Sequence, residues 1–326
     1  MKLGVFTILF NDLSFEDTLS YLTKRGINNV EIGTGGYSRS THLDLDLLLS
    51  SENEIDKYRE LLKKYDVSIS ALGTQGNPVH PKREIAARYH EDFIKTVLVA
   101  EKLHVDTILL VSGCPGGSKN DETPNWIICP WPEDYSHALE YQWEEVLIPY
   151  WKQAVEFAGV HGIKKLAIEP HPGFCVYNTE TMLKLRSRIG DSIGINFDPS
   201  HLFWQGIDPA RAIHALRDCI FHVHAKDCFL NPDIIVLNGV LDPKPYSQFS
   251  ERSWNFRTVG YGRPLHVWKG IISALAQENY DGSISIEHED ALMTRDEGLN
   301  KAIEYLQNII IKDKVETKWW ELRPEG

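Results

Sequence analysis

Short, apolar, β-branched runs alternate with longer amphipathic stretches from one end of the 326-residue chain to the other. The runs are Leu3 to Phe10, Asn29 to Gly33, Ser68 to Gly73, Thr107 to Ser112, Leu166 to Glu169, Ile193 to Asp198, Ile220 to Lys226 and Ser283 to Glu287. Between them the apolar residues recur at helical spacing, which predicts helices over 14–24, 52–64, 82–103, 141–160, 179–187, 209–216, 265–277 and 295–311. The first of these opens on Ser14-Phe-Glu-Asp17, an N-cap hydroxyl with an acid three residues on.

Strands and helices in strict alternation predict a parallel sheet, and eight such units match a single (β/α)8 TIM barrel spanning residues 1–326. An open, doubly wound sheet competes. Such a sheet often carries a glycine-rich loop after its first strand, whereas this chain has Phe10-Asn-Asp-Leu-Ser14 there. Two connections, Gly113 to Ser136 after the fourth strand and Asp227 to Arg263 after the seventh, are much longer than ordinary βα loops. In a barrel both lie on the catalytic face. The tail over 311–326 carries Lys318-Trp-Trp-Glu-Leu322, which reads either as docking against the barrel or as a contact with another subunit.

Charge narrows the partners. With 34 Lys and Arg against 46 Asp and Glu, the net charge of -12 repels phosphate backbones and anionic membranes, so neither nucleic acid nor a membrane is expected. No stretch approaches the roughly 20 apolar residues of a membrane helix. The start, Met1 to Asp12, lacks the longer apolar region of a signal peptide. Five cysteines without CxxC spacing point to no disulfide framework, and the reading is a reduced, cytoplasmic protein.

The candidate chemistry stands where strands end. Four late strands finish Ile168-Glu169-Pro, Phe197-Asp198-Pro, His222-Val-His224-Ala-Lys226 and Ile286-Glu287. In a barrel, Glu169, Asp198, His224 and Glu287 converge at one mouth, and three carboxylates so close repel unless a cation neutralises them. An oxygen-rich shell with one imidazole suits Mn²⁺ best, with Mg²⁺, Co²⁺ or Zn²⁺ as alternatives. His222 and His224 share a face at i and i+2, and His224 lies nearer the mouth. Lys226 lies nearer still, either to touch a substrate oxygen or to pair with Asp227 or Glu289.

These motifs, with Phe197-Asp198-Pro-Ser-His201 and His222-Val-His224-Ala-Lys-Asp227, resemble the xylose-isomerase-like superfamily of TIM barrels over nearly the whole chain. The superfamily includes sugar isomerases and epimerases, inosose dehydratases and endonuclease IV. By resemblance to ketohexose 3-epimerases, Glu169, Asp198, His224 and Glu287 hold one divalent metal, Glu169 and Glu287 move protons at the substrate carbon, and His201 contacts substrate oxygens. Those epimerases carry an Arg after the seventh-strand ligand where this chain has Lys226-Asp227, which also looks like inosose dehydratases. The long loops resemble sugar phosphate isomerase/epimerase proteins similar to the larger subunits of deglycosidases that cleave 3-keto-glycosides by β-elimination. That resemblance implies a homo-oligomer or a complex with a smaller subunit.

Other loop residues are weaker candidates. His137 could serve as acid or base for a leaving group, and His80 as a substrate contact. Trp126, Trp131, Trp204 and Trp254 could stack on sugar faces, though at least two of them are expected to be loop packing. Arg257 could hold an anion bidentately. The leading expectation is a metal-dependent isomerase, epimerase or lyase acting on a keto-sugar or keto-glycoside by removing a proton next to a carbonyl. A phosphodiesterase like endonuclease IV is disfavoured by the acidic charge and by the lack of histidines on the second to fourth strands; a sugar-binding barrel without activity is the third reading.

Overall fold

The computed structural model describes residues 1–313, 315, 316 and 319–321. Ten strands form in chain order: β1 (Lys2–Phe6), β2 (Asn29–Gly33), β3 (Ser68–Gly73), β4 (Thr107–Leu110), β5 (Lys165–Ile168), β6 (Ile193–Phe197), β7 (Ile220–Ala225), β8 (Asp227–Leu230), β9 (Trp254–Arg257) and β10 (Ser283–Ile286). Eight of them, in the order β1-β10-β7-β6-β5-β4-β3-β2, close a parallel barrel. The remaining pair, β8 and β9, is an antiparallel ribbon inside the long loop after β7. Each barrel strand is followed by a helix on the outside, so the chain is a (β/α)8 TIM barrel.

The local signals act as the sequence implies. Ser14 caps the helix Phe15–Thr23 by accepting from Asp17 N, and the helices Glu52–Lys64, Pro209–Leu216 and Leu265–Gln277 have the expected bounds. Three departures matter for the mouth. The first strand stops at Phe6, and Thr7–Phe10 turns into a 3-10 helix, which brings Ile8 and Leu9 onto the cavity wall instead of continuing the sheet. The stretch expected to be one helix over 141–160 begins as a π-helical segment, Tyr141–Leu147, and becomes α-helical at Ile148–Val160, with Pro149, which has no N–H to donate, just past the change. The loop after β4 contains a helix of its own, Glu133–Glu140.

Most of the core lies between the barrel and the helices, with Trp151, Trp268, Phe93 and Leu19 among its fully buried members. Inside the barrel the apolar layer is small: Ala71, Leu109 and Ala167, backed by Phe221. Above it the interior is polar. Two register shifts accompany that change, one where β2 passes Val30 to Glu31 against β3, the other where β6 passes Ile195 to Asn196 against β7. In each case the partner strand carries the extra residue, Ser70 on β3 and Phe221 on β7, a bulge of the kind common near functional sites.

Of the tail, Trp319 and Trp320 are exposed and meet edge to face at 5.7 Å, while Lys318 and Leu322 lie outside the described residues. Among the described residues no helix is long and apolar enough to cross a membrane.

Candidate metal centre and cavity

The strand ends of β5, β6, β7 and β10 meet at the mouth. Glu169, Asp198, His224 and Glu287 each bring one ligand atom to within 4.8 Å of all the others. Asp198 is fixed because its Oδ1 accepts from Ser200 N (2.8 Å) as the cap of the short helix Pro199–Phe203, leaving Oδ2 to face the cluster. Asn196 Nδ2 donates to Glu169 Oε2 at 2.9 Å, and His201 Nε2 lies 3.2 Å from both Glu169 Oε1 and Asp198 Oδ2. His224 Nδ1 is 2.9 Å from Glu287 Oε2 and 3.5 Å from Glu169 Oε2.

The residues fit a divalent cation. Asp198 Oδ2 and Glu287 Oε2 are buried and lack a well-aligned hydrogen bond, and the charge nearest both is the Lys226 ammonium, 3.2 and 2.8 Å away. Three buried carboxylates converging on one point need positive charge among them, which a lysine supplies in part and a divalent cation would supply more fully. The 2.9 Å between His224 Nδ1 and Glu287 Oε2 is also the spacing of adjacent ligands around an ion with bonds of about 2.1 Å.

One member of the network is absent from the motif reading. Glu31, on β2, is fully buried, and its two carboxylate oxygens lie 3.1 and 2.9 Å from His224 Nε2. A carboxylate can only accept, so Nε2–H donates to Glu31, and without a metal Nδ1–H donates to Glu287 in the same way; a bound cation would take the place of the Nδ1 proton, with Glu31 holding the other nitrogen's proton in place. Glu31, His222 and His224 form a second grouping of potential ligand atoms, but it shares His224 with the first. His222 Nδ1 lies 3.0 Å from Asn196 Oδ1 and Nε2 lies 3.3 Å from Ser70 Oγ, placing it one layer deeper, beneath His224. A signal for Glu31 was present: a charge inside an otherwise apolar run faces the barrel interior or the helix layer, and only the interior offers it a partner.

The electrostatics follow from this crowding. Burial, aided by Glu287 and Asp198, pushes Glu169 up to about 7, with His224 and Lys226 opposing; a bound cation would draw it back down. Burial would also raise Glu287, but Lys226 and His224 together hold it well below the carboxylate range. For His224 burial acts downward, and the carboxylates of Glu31 and Glu287 outweigh it, so its pKa stands well above the ordinary imidazole value. His171, His201 and His222 are held down to about 4, chiefly by burial, and are neutral imidazoles.

Above the cluster opens a cavity of about 670 Å³. Glu169, Glu287 and Lys226 form its charged floor, and Phe6, Tyr37 and Phe174 are prominent in its walls. His171 also borders it, packed against His201 with ring centroids 4.2 Å apart.

Other loop candidates stand elsewhere. His137 is exposed on the helix Glu133–Glu140, which packs over the β4 loop, and it does not border the cavity. His80 sits in a turn, where its Nδ1 accepts from Lys82 N. Arg257 is bound by Asp290 (Nε to Oδ2, 3.0 Å), which occupies the guanidinium an anion would need. Trp126 packs edge-on against Tyr177, and Trp204 stacks on Trp254 at 5.1 Å, all three indoles bordering a separate shallow groove. Lys226 is on the floor of the cavity, paired with Glu289 but not with Asp227. Asp227 instead gathers the β7 loop, its Oδ2 accepting from the backbone N–H groups of Gly260, Gly262 and Arg263 and from Trp268 Nε1.

A family model described as xylose isomerase-like TIM barrel matches residues 20–309. The chain is 38% identical over 312 residues to the uncharacterized protein YfiH of Bacillus subtilis, covering 95% of this chain and 99% of that one. Among solved structures, the probable 3-DHS dehydratase AsbF of Bacillus anthracis superposes with a TM-score of 0.66 at 18% identity, over 94% of this chain and 99% of its own. The IOLI protein, solved with a binding zinc atom, superposes with a TM-score of 0.64 at 16% identity, over 95% and 98%.

Proposed function

The chain belongs to the xylose isomerase-like TIM barrel family, and we propose that it is a divalent-metal-dependent enzyme of the isomerase, epimerase or lyase kind, acting on a keto-sugar or keto-glycoside by removing a proton next to a carbonyl. The observation that carries this reading is the convergence of Glu169, Asp198, His224 and Glu287 beneath a cavity large enough for a sugar derivative. When bound, the metal, which we take to be Mn²⁺, supplies Lewis-acid polarisation of the substrate carbonyl and so acidifies the neighbouring C–H.

The chain's own residues do the rest. Glu287, held ionised by Lys226 and His224, is placed to accept a proton from a carbon in the cavity. Glu169 stands on the other side, on β5, separated from β10 by two strands. Two carboxylates bracketing one substrate carbon allow a proton to leave from one face and return to the other, which inverts that centre. His201, neutral and fully buried behind His171, holds Glu169 and Asp198 in position. Phe6 and Phe174 give the cavity apolar faces for the C–H face of a sugar ring and help keep water from the reacting carbon.

A second reading keeps the first step and changes the exit. If the β-carbon carries a leaving group, the same deprotonation ends in elimination, and the likeness to AsbF, whose name is that of a dehydratase, favours testing it. The cavity volume favours a substrate larger than a free hexose, such as a 3-keto-glycoside.

The deciding experiment is solvent deuterium incorporation across a panel of keto-sugars and keto-glycosides, with Mn²⁺, Mg²⁺, Co²⁺ or Zn²⁺ added in turn. Deuterium at the carbon next to the carbonyl, dependent on metal and lost in Glu169→Gln and Asp198→Asn, is the expected result. An epimeric product identifies the first reading and an unsaturated one the second. Exchange that persists in either variant overturns the site.

A further inference from the structure

One cationic side chain stands among the carboxylates on the cavity floor. Lys226, immediately after β7, is 2% exposed. Its Nζ lies 2.8 Å from Glu287 Oε2, 3.2 Å from Asp198 Oδ2 and 3.1 Å from Glu289 Oε2. The carboxylates that carry the first two oxygens both belong to the metal grouping. A divalent ion bonded at about 2.1 Å to those oxygens and an ammonium touching them would stand only about 4 Å apart, with three positive charges between them. Both cannot keep those contacts at full strength.

The surroundings also supply a place for the ammonium to go. Glu289 lies outside the grouping, its side chain is about half exposed, and it borders the cavity. The ring of Phe256 lies 4.6 Å beneath Nζ and can retain a cation as it shifts. A lysine side chain has the rotamer freedom for a move of 1–2 Å at its tip without any change in β7.

We infer that Lys226 is a resident cation that competes with the divalent metal for Asp198 and Glu287, and that metal binding releases its ammonium toward Glu289 and the cavity, where it positions an electron-rich substrate oxygen. The inference rests on the metal-dependent reading above and adds a linkage to it. The loaded site presents a lysine to the substrate; without the metal that same lysine neutralises the carboxylates and keeps the mouth from repelling itself apart. Linkage of this kind is reciprocal: whatever weakens the lysine's hold tightens the metal's.

Two measurements on the full chain test it. Calorimetric titration with Mn²⁺ compares wild type, Lys226→Met and Lys226→Arg, with circular dichroism melts confirming that each is folded. Lys226→Met is expected to bind Mn²⁺ at least about tenfold more tightly, because its competitor is gone, and Lys226→Arg to stay near wild type. Reductive methylation of wild type, read at Lys226 by mass spectrometry, is expected to rise several-fold when Mn²⁺ is added, as the ammonium moves toward solvent. Equal or weaker Mn²⁺ binding by a folded Lys226→Met overturns the inference and leaves the metal reading standing. If that variant does not fold, methylation decides alone, and labelling that does not rise with Mn²⁺ overturns the linkage. Failure of wild type to bind any of the four metals overturns both.

Discussion

The two halves of the barrel mouth are built from different materials. Strands β5, β6, β7 and β10 each deliver a charged group to the mouth: Glu169, Asp198, His224 with Lys226, and Glu287. Strands β1, β3 and β4 end in Phe6, Gly73 and Leu110, and the loops after β1 to β4 line the cavity with Ile8, Leu9, Tyr37, Gln75 and Val111. On the proposed reading, one half would carry the chemistry and the other would shape the space above it. Glu31 crosses that line, because it originates on β2 but bonds to His224 on β7 across the barrel interior. The lesson is that the charged half is held in place partly from the other side.

The comparison can be broken at several points. In the charged half, Glu169→Gln and Asp198→Asn are expected to lower metal-dependent hydrogen exchange by about 10³-fold or more, since each removes both a cation ligand and a proton carrier or anchor. Their melting temperatures should stay near wild type, which differential scanning calorimetry checks. The crossing residue ranks next: Glu31→Gln is expected to lower Mn²⁺ affinity about 10- to 100-fold, the usual cost of losing the partner of a metal-binding imidazole. Unchanged affinity would show that β2 contributes nothing to the centre. In the shaping half, Tyr37→Ala is expected to raise KM several-fold with kcat nearly constant, because Tyr37 lines the cavity away from the carboxylates; a fall in kcat alone would erase the division of labour.

Acid sensitivity sharpens the same contrast. Burial holds His222 down to about 4 against an ordinary 6.5, so below pH 6.5 the unfolded chain takes a proton that the folded chain refuses. Stability is lost as pH falls from 6.5 toward 4 and is fully restored above that window. His222→Gln should therefore lose about 2 kcal/mol less stability than wild type between pH 7 and pH 5, measured by urea unfolding in the presence of a chelator. The smallest effect is expected outside both halves: His137→Ala, an exposed site on the β4 loop, should change kcat/KM by less than about twofold.

Much of the site was legible because barrel strands have simple rules. A carboxylate or imidazole at the end of an apolar barrel strand stands near the mouth, so the convergence of Glu169, Asp198, His224 and Glu287 was expected from position along the chain, while Asp227, equally placed, turned to the loop. Glu31 was not legible in the same way. It lies in the middle of its strand, and whether a mid-strand charge is taken into the interior depends on a partner 193 residues away. Arg257 and Trp126 lie outside the cavity lining for a different reason: the structure pairs one with Asp290 and packs the other against Tyr177, contacts that residue type alone does not encode.

The sequence by itself determined the alternation of strands and helices, hence the barrel, and which strand ends carry charge, because both depend on local periodicity and on residue type. Tertiary structure alone decided which charges converge on one point, that both nitrogens of His224 meet carboxylates, and that Lys226 touches the oxygens a metal would use. Those are matters of ångströms between residues far apart in the chain. Electrostatic energy in a buried site changes steeply over just those distances, and no periodicity along the chain encodes them.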